Sequence, residues 1–239
     1  MTGLFGSIKS VHKFLSQNHF YPIALGTLLV FFFYFGRVWI SRDFLFKNLI
    51  WNLFLAWLPY VFSLSISAIH RLRPGWWWAL IIPGGLWLVF LPNSFYIVTD
   101  LIHVSQRQSI PIWYDAGLIA ITAWTGIFLA VTSLHSVQGV VRSYLGHNLG
   151  WAFALIVIGI SGYGVYLGRF LRWNSWDLLL EPAEILSDTL SPLLHPITYA
   201  DKIGFMVMYT SLYLVTYLTF SWLRPFASPA QMKDLSPKL

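Results

Sequence analysis

Residues 76–103 read WWWALIIPGGLWLVFLPNSFYIVTDLIH. Up to Ile102 this segment contains a single charged residue, Asp100. It is also longer than the roughly 20 residues that an α-helix needs to cross the hydrocarbon layer of a membrane. We therefore predict a transmembrane helix over 76–102.

Five further segments have the same apolar character. We predict additional spans over 20–40, 48–70, 114–134, 151–171 and 203–223. The composition agrees, because 57% of the residues are hydrophobic and only 10% are charged, whereas a soluble domain has roughly 25% charged residues. Only helices and closed barrels satisfy the backbone in lipid, and these segments are too long for barrel strands. The predicted fold class is an all-α, polytopic membrane helical bundle of about six transmembrane helices.

No internal repeat or long linker divides the chain, so we predict one transmembrane domain over 20–224 and a polar C-terminal tail over 225–239. Residues 1–19 place apolar and basic residues at helical spacing, which predicts an amphipathic helix on the membrane surface. Two further short interfacial helices are expected. One begins at Asn174 or Ser175 and ends at Leu180, and the other covers 182–190.

The charged residues bear on orientation and on function. With six spans, Lys and Arg divide almost evenly between the two sides, but every acidic residue except Asp234 lies on the side opposite the termini. We therefore expect both termini in the cytoplasm and an acid-rich outer face. The basic residues form no run, so no nucleic-acid partner is expected. The chain has no cysteine, and no two histidines lie at matched depth, so neither disulfide nor haem chemistry is expected.

The end of the 76–102 span is polar in a regular pattern. Pro92 cannot continue the helical hydrogen bonds, which predicts a kink or restart there. In a following helix one face would carry Asn93, Tyr96, Thr99, Asp100 and His103. An Asp inside the bilayer costs about 2.5–3.5 kcal/mol on insertion scales and usually faces a protein partner or a wet cavity. This stripe is therefore predicted to face the bundle.

Three other spans bring polar groups to the same membrane face. Asn52 begins the second span and Asp115 begins the fourth. The fifth ends in GRFLRWNSWD (168–177), which supplies Arg169, Arg172, Asn174 and Asp177. We predict a polar cleft at the outer face. Its candidate substrate-binding or headgroup-binding residues are Asn52, Asn93, Tyr96, Thr99, Arg169, Arg172, Asn174 and Asp177.

Several motifs together resemble a known family. They are LPNSFYIVTDLIH at 91–103, WYD at 113–115 and GRFLRWNSWD at 168–177, with WN at 51–52 and AWLP at 56–59. Over about residues 45–220 the chain is similar to a bacterial multi-pass membrane family, domain of unknown function 1361. The resemblance implies a single membrane domain in the bacterial inner membrane. It implies no chemistry, because the family has no established activity.

Three functions remain open from the residues. The favoured one is a non-catalytic binding or assembly protein, in which Arg169 and Arg172 hold an anionic headgroup or the cleft holds a partner's helix. The second is a membrane-embedded hydrolase or transferase acting on a lipid-linked substrate. In that case Asp100, His103 and Asp115 would be catalytic or would bind a divalent metal.

The third function is a small transporter, because proline-interrupted helices line many transport pathways. Against all three stands the interpretation that the polar residues only join helices to one another. Membrane lipids are the expected partners, with a membrane protein or a second copy of the chain as further possibilities.

Overall fold

The computed structural model describes residues 2–103 and 110–223, and all regular structure within them is helical. The α-helices are α1 (Thr2–Gln17), α2 (Phe20–Ser41), α3 (Lys47–Leu72), α4 (Ile81–Tyr96), α5 (Ile112–Leu145), α6 (His147–Tyr166), α7 (Asp177–Leu180), α8 (Pro182–Leu194) and α9 (Ala200–Leu223). Irregular helical turns precede α4 at Trp77–Leu80 (3₁₀), follow it at Ile97–His103 (3₁₀) and follow α6 at Leu167–Leu171 (π).

Six of the described helical segments are long and apolar enough to cross a membrane. They are Phe20–Ser41, Lys47–Leu72, Trp77–Ile102, Ile112–Leu145, His147–Leu171 and Ala200–Leu223. The predicted fold class, an all-α bundle with six spans, is confirmed. The tail predicted over 225–239 lies outside the described residues.

The fourth span is longer than predicted. Helix α5 continues to Leu145 and has 34 residues, whereas the predicted span ends at 134. Gln138, a polar residue in this extra length, is fully buried. Its amide nitrogen donates to the carbonyl oxygen of Gly150 at 3.0 Å, and its amide oxygen accepts a hydrogen bond from the Tyr217 hydroxyl. Because these partners lie inside the bundle, the polar side chain does not end the helix.

The predicted restart at Pro92 is wrong. Helix α4 continues through Pro92 to Tyr96. Proline removes one backbone donor, and nearby side chains bond the carbonyls of this turn. Asn93 Nδ2 donates to the Phe90 carbonyl at 3.1 Å, and Ser175 Oγ donates to the Val89 carbonyl at 3.0 Å.

The helix changes form after Tyr96 instead. Residues Ile97–His103 form a 3₁₀ helix, which has three residues per turn rather than 3.6. The predicted stripe is therefore rearranged. Thr99 is buried and its hydroxyl donates to the Tyr96 carbonyl at 2.8 Å, while Asp100 borders a cavity with Tyr96.

The helices around the candidate site pack through small residues. A Cβ atom at Gly126 in α5 would lie 2.5 Å from the Ser94 carbonyl oxygen in α4. A Cβ atom at Gly164 in α6 would lie 2.6 Å from Pro92 Cγ. These glycines allow α4 to approach both α5 and α6 closely, as small residues do in many membrane bundles.

Two short helices, α7 and α8, form where interfacial helices are predicted, but α7 begins at Asp177 rather than at Asn174 or Ser175. Helix α8 begins at Pro182 as predicted and runs four residues beyond 190. Two hydrogen bonds join it to the end of the fifth span. Tyr163 donates to the Thr189 carbonyl at 2.9 Å, and Trp173 Nε1 donates to Asp188 at 2.8 Å.

Candidate functional site

Two ends of the bundle can be distinguished. The distal face is formed by the ends of α2, α4 and α6 and by the beginnings of α3, α5 and α9. The terminal face is the opposite end, where Arg71 of α3 donates to Gln17 of α1 at 2.9 Å. The polar motifs of the sequence lie on the distal face.

A cavity of about 420 Å³ opens on the distal face; we call it the distal cavity. It lies between the beginning of α3, the end of α4 and the segment that follows α6. Its lining residues are Trp51, Asn52, Leu55, Asn93, Tyr96, Gly168, Arg169, Arg172, Trp173, Asn174 and Ser175. Six of the eight predicted binding residues therefore border one cavity: Asn52, Asn93, Tyr96, Arg169, Arg172 and Asn174.

Asp100 lies beside this cavity and is only 8% exposed. Its Oδ2 accepts a hydrogen bond from Asn52 Nδ2 at 3.0 Å. Its Oδ1 lies 3.8 Å from Arg169 Nη1. Asn52, Tyr96, Asp100 and Arg169 also border a second pocket of about 350 Å³. The carboxylate thus joins α3 and the π turn after α6 to the end of the third span.

The π turn places both arginines at the cavity. Leu167–Leu171 forms one π-helical turn that contains Arg169. Arg172 ends it with a left-handed backbone (φ 60°), and the Trp173 N–H donates to the Leu167 carbonyl at 3.3 Å. π turns of this kind are frequent at functional sites. Here the turn lets Arg169 and Arg172 line the same cavity.

The rest of the wall is held by side-chain hydrogen bonds. Asn93 Nδ2 donates to Ser175 Oγ at 2.7 Å. Asp177 accepts hydrogen bonds from the backbone N–H of Asn174 at 2.6 Å and from its side-chain amide at 3.0 Å. The carboxylate of Asp177 therefore stabilises the turn that presents Asn174 to the cavity.

Asp115 belongs to a separate buried ion pair. Arg37 of α2 donates to both of its oxygens, from Nε at 2.8 Å and from Nη2 at 3.4 Å. Arg37 is 0% exposed and Asp115 is 1% exposed. Arg37 Nη1 also lies 2.6 Å from Asp43. The Leu45 N–H and this guanidinium lower the pKa of the Asp43 carboxyl.

The predicted metal-binding or catalytic set is only partly described. His103 ends the 3₁₀ helix, but its side chain lies outside the described part of the structure. Asp100 and Asp115 do not meet at one site. Asp100 contacts Asn52 and Arg169, whereas Asp115 pairs with Arg37. Within 2–103 and 110–223 no three His, Asp or Glu side chains are grouped as a metal would require.

Some residues of the site were missed at the sequence level. Arg37 is not among the predicted site residues, although an arginine inside an apolar run signals a buried partner. Ser175 was considered only as a helix cap, yet it lines the distal cavity and bonds Asn93. Trp51 and Trp173 are also absent from the predicted site, and both line the cavity.

A family model described as "Protein of unknown function (DUF1361)" matches residues 51–216, which is more than half of the chain. The chain belongs to this family. The match confirms the resemblance carried by 91–103, 113–115 and 168–177. The part of the chain that DUF1361 covers includes every residue of the distal cavity, whereas Arg37 precedes it. Comparisons with curated proteins and with solved structures found no match.

Breaking the Arg37–Asp115 pair should destabilise the protein. Asp115→Asn leaves the buried guanidinium facing a neutral amide, with Asp43 as its remaining carboxylate partner. Losing one partner of a buried pair typically costs about 3–5 kcal/mol, and Asp43 keeps the loss near the lower end of that range. Replacing both residues, with Arg37→Met and Asp115→Leu, should restore most of the lost stability because no buried charge is left unpaired, and the side chain of Asp43, the other partner of Arg37, is 46% exposed and reaches solvent. The measurement is the unfolding midpoint in detergent.

The matched control is Arg42→Gln, which removes an exposed arginine one residue after α2 and should change the midpoint little. An Asp115→Asn protein as stable as this control would show that the pair does not hold α2 to α5.

Proposed function

We propose that this DUF1361 protein is a non-catalytic binding protein whose distal cavity holds the anionic, phosphate-type group of a membrane component. The observation that carries the proposal is the presence of Arg169 and Arg172 on one cavity of about 420 Å³. Guanidinium groups bind phosphate oxygens through paired hydrogen bonds, and they do so better than lysine. The cavity lies at the ends of membrane spans, where lipid headgroups are found.

The charge balance of the cavity supports an anionic ligand. Two guanidinium groups and no described carboxylate line it, and Asp100, beside the cavity, lies 3.8 Å from Arg169. None of the ion pairs among the described residues includes Arg172. The described side chains that line the cavity therefore carry two positive charges, while Asp100, Asp177 and Asp188 bond to lining residues from outside the lining itself. The other polar side chains of the wall are neutral amides, hydroxyls and indoles, which orient a ligand without opposing its charge.

We also propose that the protein lies in the bacterial inner membrane with both termini in the cytoplasm, so that the distal cavity opens outward. This rests on the distribution of acidic residues, nearly all of which lie on the distal side. Alkaline phosphatase fused after Leu239 should then be inactive, because this enzyme folds only outside the cytoplasm. An active C-terminal fusion would reverse the orientation.

The binding test compares an anionic lipid with a zwitterionic one. Dihexanoyl phosphatidylglycerol should raise the unfolding temperature of the detergent-purified protein, because a ligand that binds only the folded state stabilises it. Dihexanoyl phosphatidylcholine should do so far less. Arg172→Gln should weaken phosphatidylglycerol binding about tenfold or more, since hydrogen bonds to charged groups contribute about 1.5–3 kcal/mol.

Arg73→Gln is the matched control, because Arg73 lies on the terminal face just after α3. It should leave binding unchanged. Equal stabilisation by the two lipids would refute an anion site at the distal cavity. So would an equal loss of phosphatidylglycerol binding in Arg172→Gln and Arg73→Gln. Release of phosphate or of a lipid fragment during incubation would instead favour the hydrolase alternative around Asp100.

A further inference from the structure

A second, mostly apolar cavity adjoins the distal cavity. It has a volume of about 280 Å³ and lies between α4, α6 and α8; we call it the groove. Its apolar walls come mainly from two membrane-spanning helices. The apolar lining residues are Leu88, Val89, Pro92, Ile160, Gly164, Leu167 and Ile185.

The groove and the distal cavity share a rim. Six residues line both of them: Asn93, Tyr96, Gly168, Trp173, Asn174 and Ser175. A single ligand that crosses this rim would place a charged group near Arg169 and Arg172 and an apolar group between α4 and α6. The sharp change from polar to apolar walls matches the change along one amphiphilic molecule.

We infer that the ligand of the distal cavity is a lipid with a phosphate-type headgroup, and that one of its hydrocarbon chains lies in the groove. This inference rests on the proposed function, because the headgroup determines which lipid enters. Lipid tails are as apolar as the groove walls, so the groove alone gives little preference inside a membrane. Arg169 and Arg172 attract the phosphate headgroup, and the groove favours ligands that also carry a hydrocarbon chain.

The dimensions favour a chain over a partner's helix. An α-helix with its side chains is about 10–12 Å across, which a cavity of about 280 Å³ does not admit. The groove is also closed where α4 and α6 meet, since a Cβ atom at Gly164 would lie 2.6 Å from Pro92 Cγ. A flexible hydrocarbon chain fits such a space by bending along it.

The test separates headgroup from chain with two water-soluble probes, methyl phosphate and hexyl phosphate. Equilibrium dialysis with the purified full chain gives a dissociation constant for each. Hexyl phosphate should bind the unaltered protein about tenfold tighter or more, because burial of each added methylene group is favourable. Methyl phosphate should bind equally to all groove variants.

Ile160→Trp fills the groove from α6 and should abolish the gain from the hexyl chain. Ile160 is 46% exposed, so the larger side chain does not disturb the core. The matched control is Ile156→Trp, one turn earlier on the same helix and 61% exposed, which lies outside the groove lining. It should keep the gain. Thr189→Leu narrows the groove from the α8 side and replaces Ile160→Trp if that protein does not fold.

The outcomes are distinguishable. If methyl phosphate does not bind the unaltered protein, the proposed anion site is wrong. If methyl phosphate binds but hexyl phosphate binds no tighter, only the chain-binding inference is wrong. The chain does not lie in the groove if hexyl phosphate still binds tighter than methyl phosphate in both Ile160→Trp and Thr189→Leu. The same conclusion follows if Ile156→Trp loses this difference in affinity as fully as the groove variants do. If hexyl phosphate only entered detergent micelles, its apparent binding would be the same in every variant, which would also contradict the inference.

Discussion

The arrangement of the distal face depends on the need to pair Asp100. A carboxylate near the end of an apolar span is costly unless it has polar partners. Asn52 and Arg169 supply them, at 3.0 and 3.8 Å. Because these residues come from the second and fifth spans, one carboxylate of the third span fixes three segments around the distal cavity. It also holds the Arg169 guanidinium at the cavity wall, where a ligand can reach it.

The two intramembrane ion pairs differ in a way that separates structure from binding. The Arg37–Asp115 pair makes two hydrogen bonds and is almost completely buried, so it is suited to joining α2 to α5. The Arg169–Asp100 pair is longer, and its side chains are 16% and 12% exposed. A phosphate group can therefore compete for Arg169 but not for Arg37. This contrast is why we assign Asp115 to stability and the Asp100 region to binding.

The sequence predicted the fold well because apolar length alone defines a membrane span. Six of the eight residues predicted to bind a ligand also lie on one cavity of the distal face, since residues such as Asn52 and Arg169 lie at the ends of their spans. The sequence could not predict which carboxylate meets which arginine, because pairing depends on helix rotation and tilt. The 3₁₀ helix after Tyr96 and the π turn around Arg169 were missed for a similar reason. No residue pattern marks them, and both contain residues that make tertiary contacts, such as Asp100 with Arg169.

The central claim is that the distal cavity retains a phosphate-bearing lipid. The most direct measurement is the phosphorus content per mole of protein after thorough washing in detergent. We expect about one equivalent of tightly held lipid phosphorus in the unaltered protein and in an Arg71→Gln, Arg73→Gln double variant of the terminal face. The Arg169→Gln, Arg172→Gln double variant should retain much less. Equal phosphorus in the two folded double variants would contradict the account.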